Sequence, residues 1–156
     1  MNDVELDGLV DDVAFISRAL FGVSIRSVTA VSPEITLLQY RTLIVLASRG
    51  PQRLSALRTE LGTQAPAVTR LCNRLVERGL VERHRAGPGA REVEISITPS
   101  GAALISEVLE ARRLELARIV AKIPPESRHL VRRALEMLGD AIGEPQSLAW
   151  AEELVK

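Results

Sequence analysis

Residues 63–78 read TQAPAVTRLCNRLVER, and their apolar and polar side chains separate onto two sides of a helix. The apolar side has the i, i+3, i+4, i+7 spacing and spans about 100° of the helical wheel: Val68, Leu71, Cys72 and Leu75. The polar side spans about 140° opposite to it: Thr69, Arg70, Asn73, Arg74 and Glu77. The pattern predicts a helix over 64–78 with a core on one side and a donor-rich surface on the other.

Two further helices are predicted upstream of this stretch. Apolar residues at helical spacing indicate a first helix over about 4–30. Thr36 and Gln39 have the spacing of a capping box, which predicts that a second helix over 37–49 starts here. Gly50 then supplies its C-terminal cap.

A short helix is predicted between the second helix and residue 64. Ser55 is expected to cap a helix over 55–61, which Gly62 ends. Thr63 is expected to cap the following helix, whose first turn tolerates Pro66.

A β-hairpin is predicted after Gly79. Residues 80–85 and 91–98 have the composition of strands, the second with apolar and polar residues alternating. Residues 86–90 read AGPGA, a turn sequence. The hairpin would carry Arg85 and Arg91 on either side of its tip.

Helices are again predicted beyond the hairpin. Thr98 followed by Pro99 is a typical helix start, and the helix is expected to run to about residue 122. A further helix is expected over about 126–142 and a short one over 147–156.

The charge of the chain is distributed unevenly along the sequence. The formal net charge is zero, yet residues 49–91 contain nine arginines and three acidic residues, a local charge of +6. The segments on either side each carry a net charge of −3. A basic centre between acidic arms is typical of a domain that holds phosphates, and arginine can fork onto phosphates and guanine edges.

Other classes of protein fit the composition less well. Cys72 is the only cysteine, which excludes an internal disulfide. His84 and His129 are too isolated to indicate a metal site. The acidic start is unlike a signal peptide and no apolar run spans a membrane, so a cytoplasmic location is expected. There is no nucleophile elbow, phosphate loop or catalytic cluster, so we expect neither an enzyme nor a cofactor.

The order of elements, mainly α with a small β-hairpin, resembles the MarR family of bacterial transcription regulators. The likeness covers nearly the whole chain and rests on four stretches: Leu37-x-Gln39-Tyr40, Thr63 to Leu71, Leu75 to Arg83 and Ile97 to Gly101.

This resemblance implies a single domain over 1–156 that binds double-stranded DNA as a homodimer and commonly acts as a repressor. It divides the chain as follows: dimerisation helices over 1–32 and 99–156, and a winged helix-turn-helix over 33–98 with a recognition helix at 64–78 and a wing at 84–91. Members commonly release DNA when a small aromatic or phenolic acid binds near the junction of the dimer and the DNA-binding part.

Arg70 and Arg74 are the central candidates for DNA contact, because they lie one turn apart on the polar side and could bind guanine or phosphate. The alternative is a solvated surface in which they pair with Glu77. Thr69 and Asn73 lie on the same side and could contact thymine methyls, adenine edges or the backbone. The alternative for them is neutral surface.

Further candidates surround this helix. Gln64 and Pro66 lie at its start, where backbone N–H groups can meet a phosphate. Ser55 and Arg58 on the short helix could hold the DNA backbone, although Ser55 could equally be only a cap. Arg53 is a phosphate candidate.

The wing contributes three more candidates. Arg91 is expected to reach into a minor groove, with Arg85 and His84 as weaker candidates. The family often has an Asp shortly before this arginine, where Gly89 lies here. The wing therefore departs from the family pattern at its tip.

Several alternatives remain open from the sequence. Gln39 and Tyr40 could border an effector pocket, although core and interface packing is favoured. Cys72 is expected to be buried and unreactive rather than a redox sensor. A winged-helix module that binds protein instead of DNA, and a regulator that is not released by a ligand, are the competing functions.

Overall fold

The computed structural model describes residues 3–85 and 93–143, which form a mainly helical chain with a small antiparallel sheet. The elements in chain order are α1 Asp3–Val31, α2 Leu37–Arg49, β1 Gln52–Arg53, α3 Leu54–Leu61, α4 Ala65–Glu77, β2 Val81–Arg85, β3 Val93–Ile97, α5 Pro99–Val120, a 3-10 turn Pro125–Ser127 and α6 Arg128–Ile142. This architecture confirms the predicted fold class. The helix expected over 147–156 lies outside the described residues.

The capping signals at α2 and α5 have their predicted roles. Thr36 Oγ1 accepts a hydrogen bond from the Gln39 N–H at 3.2 Å, and Gln39 Oε1 accepts one from the Thr36 N–H at 2.8 Å. Thr98 Oγ1 accepts from the Gly101 N–H at 3.2 Å, directly before Pro99. Each cap satisfies donors that the first helical turn leaves unpaired.

The predicted caps of α3 and α4 are wrong. α3 begins at Leu54, so Ser55 lies inside its first turn, because β1 runs directly into the helix. Gln64 rather than Thr63 precedes α4. The Thr63 N–H instead donates to the Arg58 carbonyl at 3.2 Å and closes α3 behind Gly62.

The sheet has three strands in the order β1-β3-β2, where the sequence indicated only two. β1 was missed because two residues are too few to display an alternation. β2 begins one residue later than expected, and β3 ends at Ile97 because Thr98 caps α5. Arg83 lies opposite Ile95 in the register, and Arg85 lies opposite Val93.

The core lies between the helices α2 to α5 and the sheet. It contains the following fully buried side chains: Leu43, Leu46, Leu57, Val68, Cys72, Leu75, Ile95, Ile105 and Val108. Full burial of one such aliphatic side chain contributes roughly 1.5–3 kcal/mol, so this core fixes how α3, α4 and the sheet lie together.

The helices α1 and α6 are covered only in part. The C-terminal half of α1 packs against α5, where Arg26 and Glu115 form an ion pair at 2.6 Å. The N-terminal half of α1 and the whole of α6 are exposed, including their apolar residues. Along the described residues, every helix is too short or too polar to cross a membrane.

Candidate nucleic-acid interface

The two sides of α4 lie as the sequence predicted. Its apolar side is buried in the core. Its polar face is exposed, and we use this name for five residues: Thr69, Arg70, Asn73, Arg74 and Glu77. The helix therefore presents a surface to solvent while its other side anchors it to the core.

Arg70 and Arg74 stand exposed on successive turns of this face. Within residues 3–85 and 93–143, neither forms an ion pair with Glu77 or with another carboxylate. Together with Thr36 and Gln39 at the start of α2, they line an open cleft of about 190 Å³. Both guanidinium groups are thus available to a ligand with acceptor oxygens.

Thr69 and Asn73 lie beside these arginines but are already engaged. The Thr69 hydroxyl donates to the Ala65 carbonyl at 3.1 Å, and its oxygen can still accept a hydrogen bond. Asn73 Oδ1 accepts a hydrogen bond from the Arg83 guanidinium, which reaches across from β2.

The start of α4 offers few free donors. Gln64 is exposed and has extended backbone, and its side chain forms no capping bond. Pro66 has no N–H, and the Ala67 N–H donates back to the Gln64 carbonyl at 3.0 Å. A phosphate here would meet mainly the Ala65 N–H and the Gln64 side chain.

On the preceding elements, Arg58 and Ser55 are exposed on α3, and Arg58 forms no ion pair within the described residues. Arg53 is half exposed, but its Nε lies 3.7 Å from a Glu94 carboxylate oxygen across the sheet. Of these three, Arg58 is therefore the cation best placed to meet a phosphate.

The residues of β2 alternate between two surfaces. Val81, Arg83 and Arg85 share the face that packs on the helices, since Val81 is buried and Arg83 lies opposite the buried Ile95. His84 lies on the other face, hydrogen-bonded to Ser96.

His84 therefore has an acidic environment away from α4, because its Nε2 lies 3.5 Å from a Glu82 carboxylate oxygen and Glu94 lies opposite it. Arg91 and Gly89 lie outside the described residues.

Arg83 was missed as a candidate site residue. Its signal was present in the sequence, because a residue two positions after the apolar Val81 must share its face of the strand. Its bond to Asn73 could not be foreseen, since that contact depends on how β2 lies across α4.

Cys72 is fully buried on the core side of α4. Burial raises the pKa of its thiol to about 11, and the positive charge of Arg83 offsets this only in part. The thiol is therefore protonated and unreactive at neutral pH, in line with the expectation of a structural cysteine.

Gln39 and Tyr40 differ in their surroundings. The Gln39 side chain is buried and occupied by the capping box, which favours the packing interpretation. The Tyr40 hydroxyl is buried and has no hydrogen-bond partner within the described residues. The Arg112 guanidinium carbon lies 5.8 Å from the centroid of its ring, and burial raises the pKa of Tyr40.

The part of the chain that is described contains no group of three or more His, Cys, Asp or Glu residues arranged to hold a metal ion.

Comparison with known proteins identifies this arrangement of helices and strands. A family model described as "MarR family" matches residues 34–92. The chain is 29% identical over 107 residues to an HTH-type transcriptional regulator of Mycobacterium tuberculosis, covering 69% of this chain and 75% of the relative.

Two solved structures match most of the chain. The crystal structure of RV1404 from Mycobacterium tuberculosis is 38% identical with a TM-score of 0.78, and covers 88% of this chain and 94% of its own. The structure of a MarR family protein from Bacillus stearothermophilus is 25% identical with a TM-score of 0.76. The match covers 92% of this chain and 99% of that protein's chain. The chain is therefore not an enzyme, and it belongs to the MarR family of winged-helix transcriptional regulators.

Proposed function

We propose that this protein is a repressor that binds a pseudo-palindromic DNA operator as a homodimer. The observation that carries the proposal is the pair of exposed arginines, Arg70 and Arg74, which have no carboxylate partner within the described residues and lie on a helix anchored by its other side. Such a helix fits the major groove of DNA, where arginine recognises guanine O6 and N7 or binds phosphate.

The other contacts follow from the surfaces around α4. Thr69 and Asn73 would meet base edges, and Gln64 and Pro66 would lie at the backbone. Contacts that orient the protein on the DNA would come from β1, α3 and the wing: Arg53, Ser55, Arg58, His84, Arg85 and Arg91. Among these, Arg58 and Arg85 have the strongest support, because His84 and Arg53 lie close to carboxylates.

The proposed dimer is supported by the apolar surfaces of α1 and α6. Leu9, Leu130 and Leu135 are 60%, 61% and 57% exposed in the single chain. Exposed apolar side chains gathered on one face of a helix mark a surface that another protein surface covers. We assign residues 1–32 and 99–156 to dimerisation and 33–98 to DNA binding, which would place two copies of α4 in major grooves about 34 Å apart.

The direct test is binding of the purified protein to the DNA upstream of its own gene at several salt concentrations. Affinity is expected to fall steeply with salt, because arginines displace counterions from phosphates. The double substitution Arg70→Ala with Arg74→Ala is expected to weaken DNA binding at least a hundredfold, since each good arginine contact raises the affinity about tenfold or more.

The matched control removes two exposed arginines from α5, Arg113→Ala with Arg118→Ala. This pair changes the net charge equally and lies away from α4, so binding should stay within a few fold when analytical ultracentrifugation shows the same oligomeric state as for the native protein. Unchanged binding in the Arg70/Arg74 variant would contradict α4 as the recognition helix. If the native protein itself shows no salt-dependent DNA binding, the protein-interaction module is favoured instead.

Release of DNA by a small aromatic or phenolic acid has one supporting observation. The Tyr40 hydroxyl is buried without a described partner, and the guanidinium of Arg112, which has no ion pair in the described residues, lies over the ring of the same tyrosine. A carboxylate near Arg112 would satisfy both groups. Salicylate is expected to weaken DNA binding by the native protein and not by Arg112→Gln, whereas equal responses would exclude this site.

The repressor assignment is tested with a reporter gene behind the upstream DNA, whose expression should rise when the regulator is deleted. A protein acting on bacterial chromosomal DNA would work in the cytoplasm.

A further inference from the structure

The contact between Arg83 and Asn73 joins β2 to the polar face of α4. Arg83 lies in β2 on the sheet face that turns toward the helices, and its guanidinium donates to Asn73 Oδ1. Both side chains are exposed, so the pair lies at the surface where DNA would bind.

The chemistry of arginine fixes which way the Asn73 amide points. A guanidinium group carries five N–H donors and no acceptor, so only the amide oxygen can face it. The Asn73 Nδ2 group is therefore directed away from Arg83, and both of its protons are available to another partner.

This orientation changes which base the pair can recognise. Adenine is read by asparagine through two simultaneous bonds, in which the amide oxygen accepts from N6 and the amide nitrogen donates to N7. Arg83 takes one of the two lone pairs of this oxygen, and its positive charge disfavours a second donor there, so Asn73 acts mainly through its Nδ2 donors. Guanine presents two acceptors, O6 and N7, on its major-groove edge and fits a surface made of donors.

The neighbouring side chains have the same character. Arg70 and Arg74 are also donors without acceptors. The acceptor Glu77 lies in the last turn of α4, one turn beyond Asn73. The centre of the polar face is therefore complementary to acceptors.

We infer that Arg83 is a specificity-determining residue, which holds the Asn73 amide so that the pair selects guanine over adenine at one operator position. The inference rests on the proposed DNA-binding function and deepens it. Arg83 acts here through Asn73 and is thus a positioning residue as well as a source of donors.

The experiment selects bound sequences from a randomised DNA library and compares the base preferences of native protein and variants. The position read by Asn73 is the one whose preference disappears in Asn73→Ala. Native protein is expected to prefer guanine there by about tenfold over adenine. In Arg83→Met, which keeps a long apolar stem without donors, the preference at that position is expected to move to adenine.

Arg85→Met is the matched control. Arg85 lies on the same strand and the same sheet face as Arg83, but it makes no bond to Asn73. Its replacement by methionine removes the same positive charge. Its replacement is expected to lower affinity about tenfold or less while every base preference is retained.

Each outcome decides the inference. If Arg83→Met lowers affinity but leaves the base preferences as they are in Arg85→Met, Arg83 binds only phosphate and the inference is wrong while the proposed function stands. If native protein selects adenine at the Asn73 position, the inference is also wrong. If native protein selects no sequence, the proposed function and the inference both fail.

Arg83→Gln gives the same test with a second side chain. It removes the charge and the guanidinium group and should also shift the preference toward adenine. Circular dichroism checks that both variants fold, as expected for an exposed position.

Discussion

Gly101 lies where the surrounding chain leaves no room for a side chain. A Cβ at this position would lie 2.2 Å from the Leu80 carbonyl oxygen and 2.8 Å from Ile97 Cγ1. Because the first of these atoms is backbone, the chain has to shift before any side chain fits. Glycine here allows the start of α5 to lie against the turn that leads into the wing.

Gly101→Ala is therefore expected to destabilise the protein by about 2 kcal/mol or more, although alanine favours helices. Gly139→Ala in α6 is the control, because nothing lies within 4 Å of its added Cβ, and it should be neutral or stabilising. Denaturant unfolding of both variants measures the difference. Equal stability of the two variants would contradict the close approach.

At the same scale, the buried Cys72 predicts a dependence of stability on pH. Burial raises the pKa of its thiol from about 9 to about 11, so the native state holds this proton more tightly than the unfolded chain. Its contribution to stability is complete below pH 9 and is lost as the pH rises toward 11. The melting temperatures of native protein and Cys72→Ala, measured from pH 9 to pH 11, should fall less with pH in the variant. Parallel declines of the two melting temperatures would contradict the assignment.

Among the secondary-structure elements, α5 depends on Thr98, the residue that caps its start. The Thr98 hydroxyl accepts from the Gly101 N–H and donates to the Gly79 carbonyl at 2.6 Å, so it caps α5 and ties it to the end of α4. Thr98→Val removes both bonds and should cost about 1–2 kcal/mol of unfolding free energy.

Thr63→Val serves as the comparison for Thr98→Val. The Thr63 side chain forms no capping bond to α4, so its loss should change stability by less than about 0.5 kcal/mol. If the two threonines prove equally important in denaturant unfolding, the capping assignments in this fold are wrong.

Sequence reasoning succeeded where a signal is local and repeated. The capping box at Thr36 and the two sides of α4 depend on residues three or four positions apart, and both were predicted. It failed at Ser55 and Thr63, where good capping residues were displaced by β1 and by the closure of α3. The bond between Arg83 and Asn73 joins separate elements, and neighbouring residues carry no information about such a contact.

For the whole molecule, the exposed apolar face of α6 makes a prediction about assembly. Leu135→Asp places a charge in that face and is expected to convert a dimer to a monomer, because an unpaired charge is costly in an apolar interface. His129→Asp adds the same side chain to the polar side of α6 and should leave the dimer intact. Analytical ultracentrifugation distinguishes these states, and a monomeric native protein would contradict the proposed dimer.

The attachment of α5 to the end of α4 also has a mechanical consequence. Thr98 and Gly101 fasten the first turn of α5 to Gly79 and Leu80, so α5 is attached at its near end to α4 and the sheet and can act on them as a lever. The 22 residues of α5 make this lever about 33 Å long. A tilt of only about 5° at its far end would displace the near end by about 3 Å over that length. In the proposed dimer, such a tilt in each subunit would change the separation of the two copies of α4, so that it no longer matches the spacing of the major grooves. The hydrogen bonds within each subunit would stay intact.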